Sequence, residues 1–484
     1  MANLLGTLIS SSSTLDAYAQ VLQVTENNVA NASTPGYAVQ NLPLEAMPMD
    51  LGAGLEGGVT VGQVQSARNQ FAEQAVQTQQ TGLAWQQQSV TGLTSLQSVF
   101  DVSGTTGIDK GLNDFFQSVS AWGQTPSDQT AQQTVINSAT EVAQSFQDAA
   151  TSIQNVAQQN QVQLVSTVAQ VNQLVGQIQT YNQTALATGS SVSQDAGIDA
   201  QVHAALENLS QLVDFSSSQQ SDGTTSILLN GTTPLLIGGQ QFVLQTSLTS
   251  GGANAAYPNA PGTLQLLSGE GTDITSQTTQ GQLGAELDMG NRIVPSLIGD
   301  SSQAGDLNTM AQQFADTVNQ LLTSGNISDG PPPVAGVPLF TYDTTNATNV
   351  AATLAVDPTV AAGQLAAISP GPPEVSNGVP LALAQLATPT NASQEIAGVS
   401  YSQYYGNMAA NIGGQLQNAT NGVQERQSLL SQAQSQRQQL SGVDLNEEAI
   451  TLVEFQRAYQ ANTQFITVLD ELTQDTINIL GTVA

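Results

Sequence analysis

Two segments built on a seven-residue repeat, one at each end of the chain, constrain the fold more than anything between them. Leu8, Leu15, Leu22 and Val29 recur at intervals of seven, with Ser11, Tyr18 and Thr25 between them. Leu445, Leu452, Tyr459, Ile466, Thr473 and Leu480 do the same, interleaved with Phe455, Asn462 and Leu469. A seven-residue apolar repeat on a 3.6-residue helix winds that helix around a partner and buries the column between them. The repeats predict helices over about 4–31 and 446–480. Pro35-Gly36 stops the first, and Asp444 opens the second with Glu447 and Glu448 in its first turn. Alone, either helix buries too little apolar surface to offset the entropy of ordering it. Each needs the other end of the chain, further copies, or both. Chain ends are usually the most dispensable part of a domain, so a pattern concentrated there points to assembly. The candidate assembly interface is Leu8, Leu15, Leu22 and Val29 with Leu445, Leu452, Phe455, Tyr459, Ile466, Leu469 and Leu480.

Between these ends the texture changes twice. From about 65 to 188 the apolar positions keep three-and-four spacing, predicting helices over 79–100, 112–122, 129–146 and 149–187. Pro126-Ser127-Asp128 reads as a turn and N-cap. A further helix is expected over 403–440. From about 192 to 397 short apolar runs alternate with turn signals: Ser226–Leu229, Asn230-Gly231, Pro234–Ile237, Gly238-Gly239, Phe242–Leu244 and Thr263–Leu267. Helices over 307–322 and 381–386 interrupt them, and Gly330–Pro333 and Pro370–Pro373 read as exposed loops. The expected fold is multidomain. Both chain ends form an α-helical coiled-coil domain (1–64 and 442–484) and a helical bundle domain (65–191 and 398–441), with an α+β, β-rich region (192–397) inserted between.

Composition excludes several functions. The 484 residues carry 37 acidic side chains against six basic ones, for a net charge of -31. Phosphate backbones and anionic membrane surfaces bind through clustered Lys and Arg, so neither nucleic acid nor membrane is an expected partner. Without cysteine, disulfides and thiolate metal sites are impossible. The single histidine, His203, is expected as an ordinary surface or packing residue rather than a ligand or base, and no apolar run approaches the roughly 18 residues that span a bilayer. The first cation is Arg68, which leaves no basic n-region, and export without a cleaved signal peptide is expected.

Chemistry needs paired groups. Glu447 and Glu448 are adjacent on a helix and point about 100° apart. Asp195 and Asp199 could meet on one helical face, but nothing around them marks a cleft for a glycosidase pair. No phosphate loop, nucleophile elbow or Cys–His couple is present. No cofactor and no metal are expected, and the sequence argues against an enzyme.

The segment from Asn27 to Tyr37, with Asn28, Asn31, Pro35 and Gly36, resembles the N-terminal signature of the flagellar rod, hook and hook-associated axial proteins. The run from Val443 to Asn462, with Gln456 and Gln460, resembles their C-terminal signature. Three internal stretches resemble the hook-associated protein 1 branch. These are Gly111–Phe116 with Trp122 and Pro126-Ser127-Asp128; Gly281–Gly284 with the helix to Leu322; and Tyr404-Tyr405 with Ile412-Gly413. The chain departs from the family at Val39, where a basic residue is usual. It departs again around Gln201, His203 and Glu207, where an acidic-basic cluster is usual, and surface ion pairs are expected to be lost there. The resemblance implies a structural subunit at the junction of hook and filament on the outside of the cell. Its partners would be copies of itself, the hook protein and the next hook-associated protein toward the filament. An export chaperone would engage the last helix over 452–480. The alternatives are a hook or distal-rod subunit, or an enzyme or adhesin carried in the middle region.

Overall fold

The computed structural model describes residues 2–50, 55–188 and 195–483. Its helices are α1 (Ala2–Ala30), α2 (Gln70–Gln97), α3 (Gly107–Gln124), α4 (Gln129–Thr188), α5 (Ala196–Leu212), α6 (Gly281–Asp288), α7 (Val294–Ile298), α8 (Asp306–Thr323), α9 (Val350–Thr353), α10 (Gly378–Ala384), α11 (Tyr401–Ser441) and α12 (Leu445–Val483). The contacts divide the chain into two compact units. One comprises residues 1–82, 171–243 and 426–484, the other 83–170 and 244–425.

The second unit holds the larger aromatic core. On α3 the spacing Ile108, Leu112, Phe115, Phe116, Val119 and Trp122 makes one apolar stripe, and every member is buried. On α8 the set Leu307, Met310, Phe314, Val318 and Leu322 does likewise. The stripes meet at Phe314, whose ring lies 5.5 Å from those of Phe115, Phe340 and Tyr401. The turn at Pro126 forms as the sequence suggests. Its carbonyl accepts hydrogen bonds from Trp122 Nε1 and Gln132 Nε2, and Asp128 Oδ1 accepts from Thr130 N–H at the start of α4. One expectation fails: 129–146 and 149–187 form a single helix of 60 residues. No Gly or Pro stands between them, and Phe146, Ala149, Ala150 and Ile153 carry the buried stripe across the expected gap.

Inside this unit Glu286 of α6 is fully buried. Its Oε1 accepts from Thr167 Oγ1 at 2.9 Å and from Gln282 Nε2 at 2.9 Å, while its main-chain oxygen accepts from Asn160 Nδ2. A π-type turn at Met289–Ile293 follows directly.

In the first unit, residues 40–66 contain three short antiparallel ladders: β1 (Gln40–Asn41) with β6 (Gln65–Ser66), β2 (Leu44–Ala46) with β5 (Val59–Val61), and β3 (Met49–Asp50) with β4 (Leu55–Glu56). Sequence texture did not distinguish these strands from loop, because they run only two or three residues. A four-stranded antiparallel sheet follows, ordered β10-β9-β8-β7, from β7 (Phe215–Gln219), β8 (Thr225–Leu229), β9 (Thr233–Ile237) and β10 (Gln240–Gln241). Asn230, with φ of 50°, and Gly231 make the β8–β9 turn. The expected strand at Phe242–Leu244 is absent. Pairing resumes in the second unit, where β11 (Gln245–Thr249) meets β12 (Thr263–Leu267).

Burial pushes the Glu286 carboxyl up to about 7, against the opposing effect of its two hydrogen bonds. The folded state therefore holds this proton more tightly than the unfolded chain. The resulting stability is complete below pH 4.5 and is lost as pH rises through 7, by about 3 kcal/mol in all. Glu286→Gln keeps the acceptor and removes the charge. Urea unfolding followed by tryptophan fluorescence reads this unit, because Trp85 and Trp122 both belong to it. The variant is expected to be more stable than wild type at pH 8 and nearly equal at pH 5. Parallel pH profiles would show that Glu286 does not titrate in this range.

Candidate assembly interface

The terminal helices pair with each other inside one chain, and they run antiparallel. Asn462 Nδ2 donates to the Ser11 carbonyl at 2.9 Å. The rings of Tyr18 and Phe455 meet edge to face at 5.6 Å, and Asn28 Nδ2 donates to Glu448 Oε1 at 3.1 Å. Positions that advance along α1 thus meet positions that retreat along α12.

The face of α1 turned into this seam is the semi-polar one. Ser11 and Thr25 of that column are buried, as are Ala17, Val21 and Asn28 elsewhere on α1. Leu8, Leu15 and Leu22 are half-buried along its edge, and Val29 is exposed. On α12, Glu448 and Leu469 are buried, and Leu452, Phe455 and Ile466 are half-buried. Tyr459 and Leu445 are exposed. Leu480 lies in the last helix, but its side chain falls outside the described residues. The second interleaved column, Phe455, Asn462 and Leu469, therefore supplies the α12 side. Small side chains at Ser11 and Thr25 allow close approach, which was the available signal that this column faces α12.

The two signatures converge on Asn28. Its Oδ1 accepts from the Tyr37 hydroxyl and the Gln40 N–H, both at 2.9 Å. Its Nδ2 donates to the Gln40 carbonyl and to Glu448. Four bonds satisfy the buried amide and bind α1, the loop after it and the start of α12. Asp444 Oδ1 caps α12 by accepting from Asn446 N–H. Asn31 Nδ2 donates to Asn27 Oδ1, and Asn31 Oδ1 accepts from the Thr34 hydroxyl ahead of Pro35, shaping the turn. Gln456 and Gln460 are exposed. Burial and the adjacent Glu448 charge push the Tyr37 hydroxyl up to about 12, so it remains a donor.

Gly36 has φ of 76°, and a β-carbon there would stand 2.5 Å from the Ala200 carbonyl of α5. Its own oxygen accepts from Arg68 Nη2 at 2.6 Å. Arg68 also bonds Asp199 at 2.7 Å and Glu73 at 2.8 Å, with both side chains of each pair under 10% exposed. Arg437 of α11 pairs with Glu207 at 2.9 Å and reaches Glu73 at 3.3 Å. The expected loss of ion pairs around 201–207 is therefore corrected. The acids stand on α5, but their cations come from Arg68 and Arg437, distant in sequence. Asp195 and Asp199 do not act as a pair, since Asp195 caps α5 by accepting from Gly197 and Ile198 N–H. His203 is held neutral, its pKa lowered to about 3 by burial and by the Arg68 and Arg437 charges.

Comparisons with known proteins place this arrangement in a family. The family described as "Flagellar hook-associated protein FlgK helical domain" matches residues 93–340, just over half of the chain. The chain belongs to the flagellar hook-associated FlgK family. A second family, described as the flagellar basal body rod FlgEFG protein C-terminal region, matches residues 434–479. The chain is 24% identical to the flagellar hook-associated protein 1 of Bacillus subtilis strain 168, with 96% of each covered. The structure of the flagellar hook junction protein FlgK from Burkholderia pseudomallei superposes with a TM-score of 0.61 at 16% identity, covering 76% of this chain and 99% of that one. Membership in the FlgK family places the chain among structural proteins of the flagellum.

Asn28→Ala leaves the Tyr37 hydroxyl, both main-chain groups of Gln40 and the Glu448 carboxylate short of partners. At about 1 kcal/mol or more for each buried group stranded, the α1–α12 pairing should weaken by several kcal/mol. Amide exchange in residues 6–30 and 448–478 should accelerate, while the tryptophan-reported transition is unchanged. Gly36→Ala should loosen the same region through both backbone strain and the clash with Ala200. Unchanged exchange in either variant would remove this joint as the organiser of the ends.

Proposed function

We propose that the chain builds the junction between hook and filament by polymerising through its terminal helices. A structural role at that junction is the function of this flagellar hook-associated protein. The observation that carries the mechanism is the half-open leucine column. The intrachain seam uses the Ser11–Tyr18–Thr25 face and leaves Leu8, Leu15 and Leu22 partly uncovered at its rim. Helices whose apolar column is only half used by their own chain have surface left for a neighbour. Copies of the chain meet through this rim, with the hook protein on one side and the next hook-associated protein on the other. Before export a chaperone covers residues 452–480. The role is mechanical, not enzymatic: the carboxylates that could have paired are committed to a helix cap and to Arg68.

A strain lacking the chain is expected to carry hooks without filaments and to shed filament protein into the medium. Leu22→Asp in the intact chain should reproduce that phenotype. An unpaired carboxylate buried at the rim costs several kcal/mol, more than one aliphatic contact supplies. The tryptophan-reported unfolding of the second unit should not change. Normal filaments on Leu22→Asp hooks would show that the leucine rim is not an assembly contact.

A further inference from the structure

The last helix has a second apolar face that its own chain does not use. Ile450, Val453, Phe465, Val468 and Leu472 are each 44–67% exposed. At 100° per residue they fall in an arc of about 120°, centred roughly a third of a turn from the Phe455–Asn462–Leu469 column. Arg457 and Glu454 lie in the same arc. The chain has six cations, and five of them are engaged. Arg68 and Arg437 hold the buried network, Lys110 pairs with Asp114, Arg292 pairs with Asp288, and Arg426 donates to Gln79. Among the described residues Arg457 makes neither a hydrogen bond nor an ion pair. In a chain of net charge -31, the one unengaged cation sits on an uncovered apolar stripe.

The complementary surface is on α1. Its outward side carries the leucine rim together with exposed Ile9, Ala19 and Val29. Asp16 and Glu26, both exposed, are that helix's only charges. The lengths match as well: Ile450 to Leu472 spans about 33 Å and Ile9 to Val29 about 30 Å at 1.5 Å per residue. We infer that the Ile450–Leu472 stripe of one copy packs on the outward face of α1 of a second copy, with Arg457 facing the acidic side that Asp16 and Glu26 give that helix. Apolar burial supplies the attraction, and the opposite charges fix register and direction. The inference rests on the self-assembly reading above and adds which faces meet between chains. Because the two faces are different patches, the contact is head-to-tail and repeats into a ring or a helical segment.

Since the chain has no cysteine, paired cysteines can test it directly. The Ala19→Cys/Ala461→Cys double variant of the full chain puts exposed cysteines at the midpoints of the two matched faces; expressed in its own bacterium, it should give a ladder of dimers, trimers and larger species when isolated flagella are oxidised. R457E should reduce filament-bearing hooks about tenfold or more through like-charge apposition with the acids of α1. Adding Asp16→Lys and Glu26→Lys to R457E should restore them. A double-cysteine chain that stays monomeric while filaments remain attached overturns the inference and leaves the assembly reading standing. R457E hooks with a full complement of filaments do the same. If R457E loses filaments and the lysine changes do not restore them, the partner of the stripe is another protein, and the inference fails. Filaments persisting in a strain without the chain would instead sink the underlying reading.

Discussion

A buried side-chain amide left unpaired costs as much as the hydrogen bonds it forgoes, and Asn28 pairs both of its polar atoms. Each of its bonds goes to a different requirement of the first unit. Tyr37 and Gln40 fix the exit of the chain from α1, and Glu448 fixes the entry of α12 across 420 residues of sequence. Without that joint the two terminal helices would be independent amphipathic segments, each too poor in apolar burial to hold its own conformation. With it, the chain's beginning and end act as one element. Glu448 is itself partly desolvated, which raises its pKa, while the bond from Asn28 opposes that shift. The joint is thus a polar contact kept stable by shielding and saturation rather than by strong charge pairing.

Charge scarcity explains the rest of that unit's construction. With so few cations available, two are placed where a single guanidinium can join several segments. Arg68 links the loop at Gly36, the start of α2 at Glu73 and α5 at Asp199. Arg437 adds α11 through Glu207. Exposed ion pairs contribute about 0–1 kcal/mol each, and Lys110–Asp114 and Arg292–Asp288 are of that kind. The buried pairs behave differently, because removing one partner strands the other. Such a network specifies which segments meet more than it adds net stability.

The helices were legible in the sequence because their apolar residues keep helical spacing over many turns. Both terminal helices, α3, α8 and α11 lie within a few residues of where the spacing puts them. The join at 146–149 was misread because a local weakening of the pattern looked like a boundary, although no residue there breaks a helix. Two- and three-residue strands leave no periodicity to read. The ion network was illegible for a different reason: Arg68 and Arg437 stand far in sequence from the acids they meet, and pairing at that distance is set by tertiary packing. Asn28 was visible as part of a signature but not as its centre, since sequence shows that an amide is present and not which four groups surround it.

The seven-residue repeat shows where sequence reading stops and structure must decide. A repeat identifies two columns per helix, and either can face the partner. On α1 the more apolar column is the natural choice, yet the structure turns the smaller, semi-polar one inward. The physical reason lies at its ends. Across the seam Asn28 bonds the Glu448 carboxylate and Asn462 bonds the Ser11 carbonyl, and Thr25 and Ser11 leave room for the helices to approach. Placing the leucines at the center would bury more hydrocarbon but would turn Asn28 away from Glu448 and the loop. Satisfying the amide therefore outweighs covering the leucines, and the leucines remain at the rim. A protein that must join copies of itself needs apolar surface its own fold does not consume, and here a polar joint is what keeps that surface uncovered.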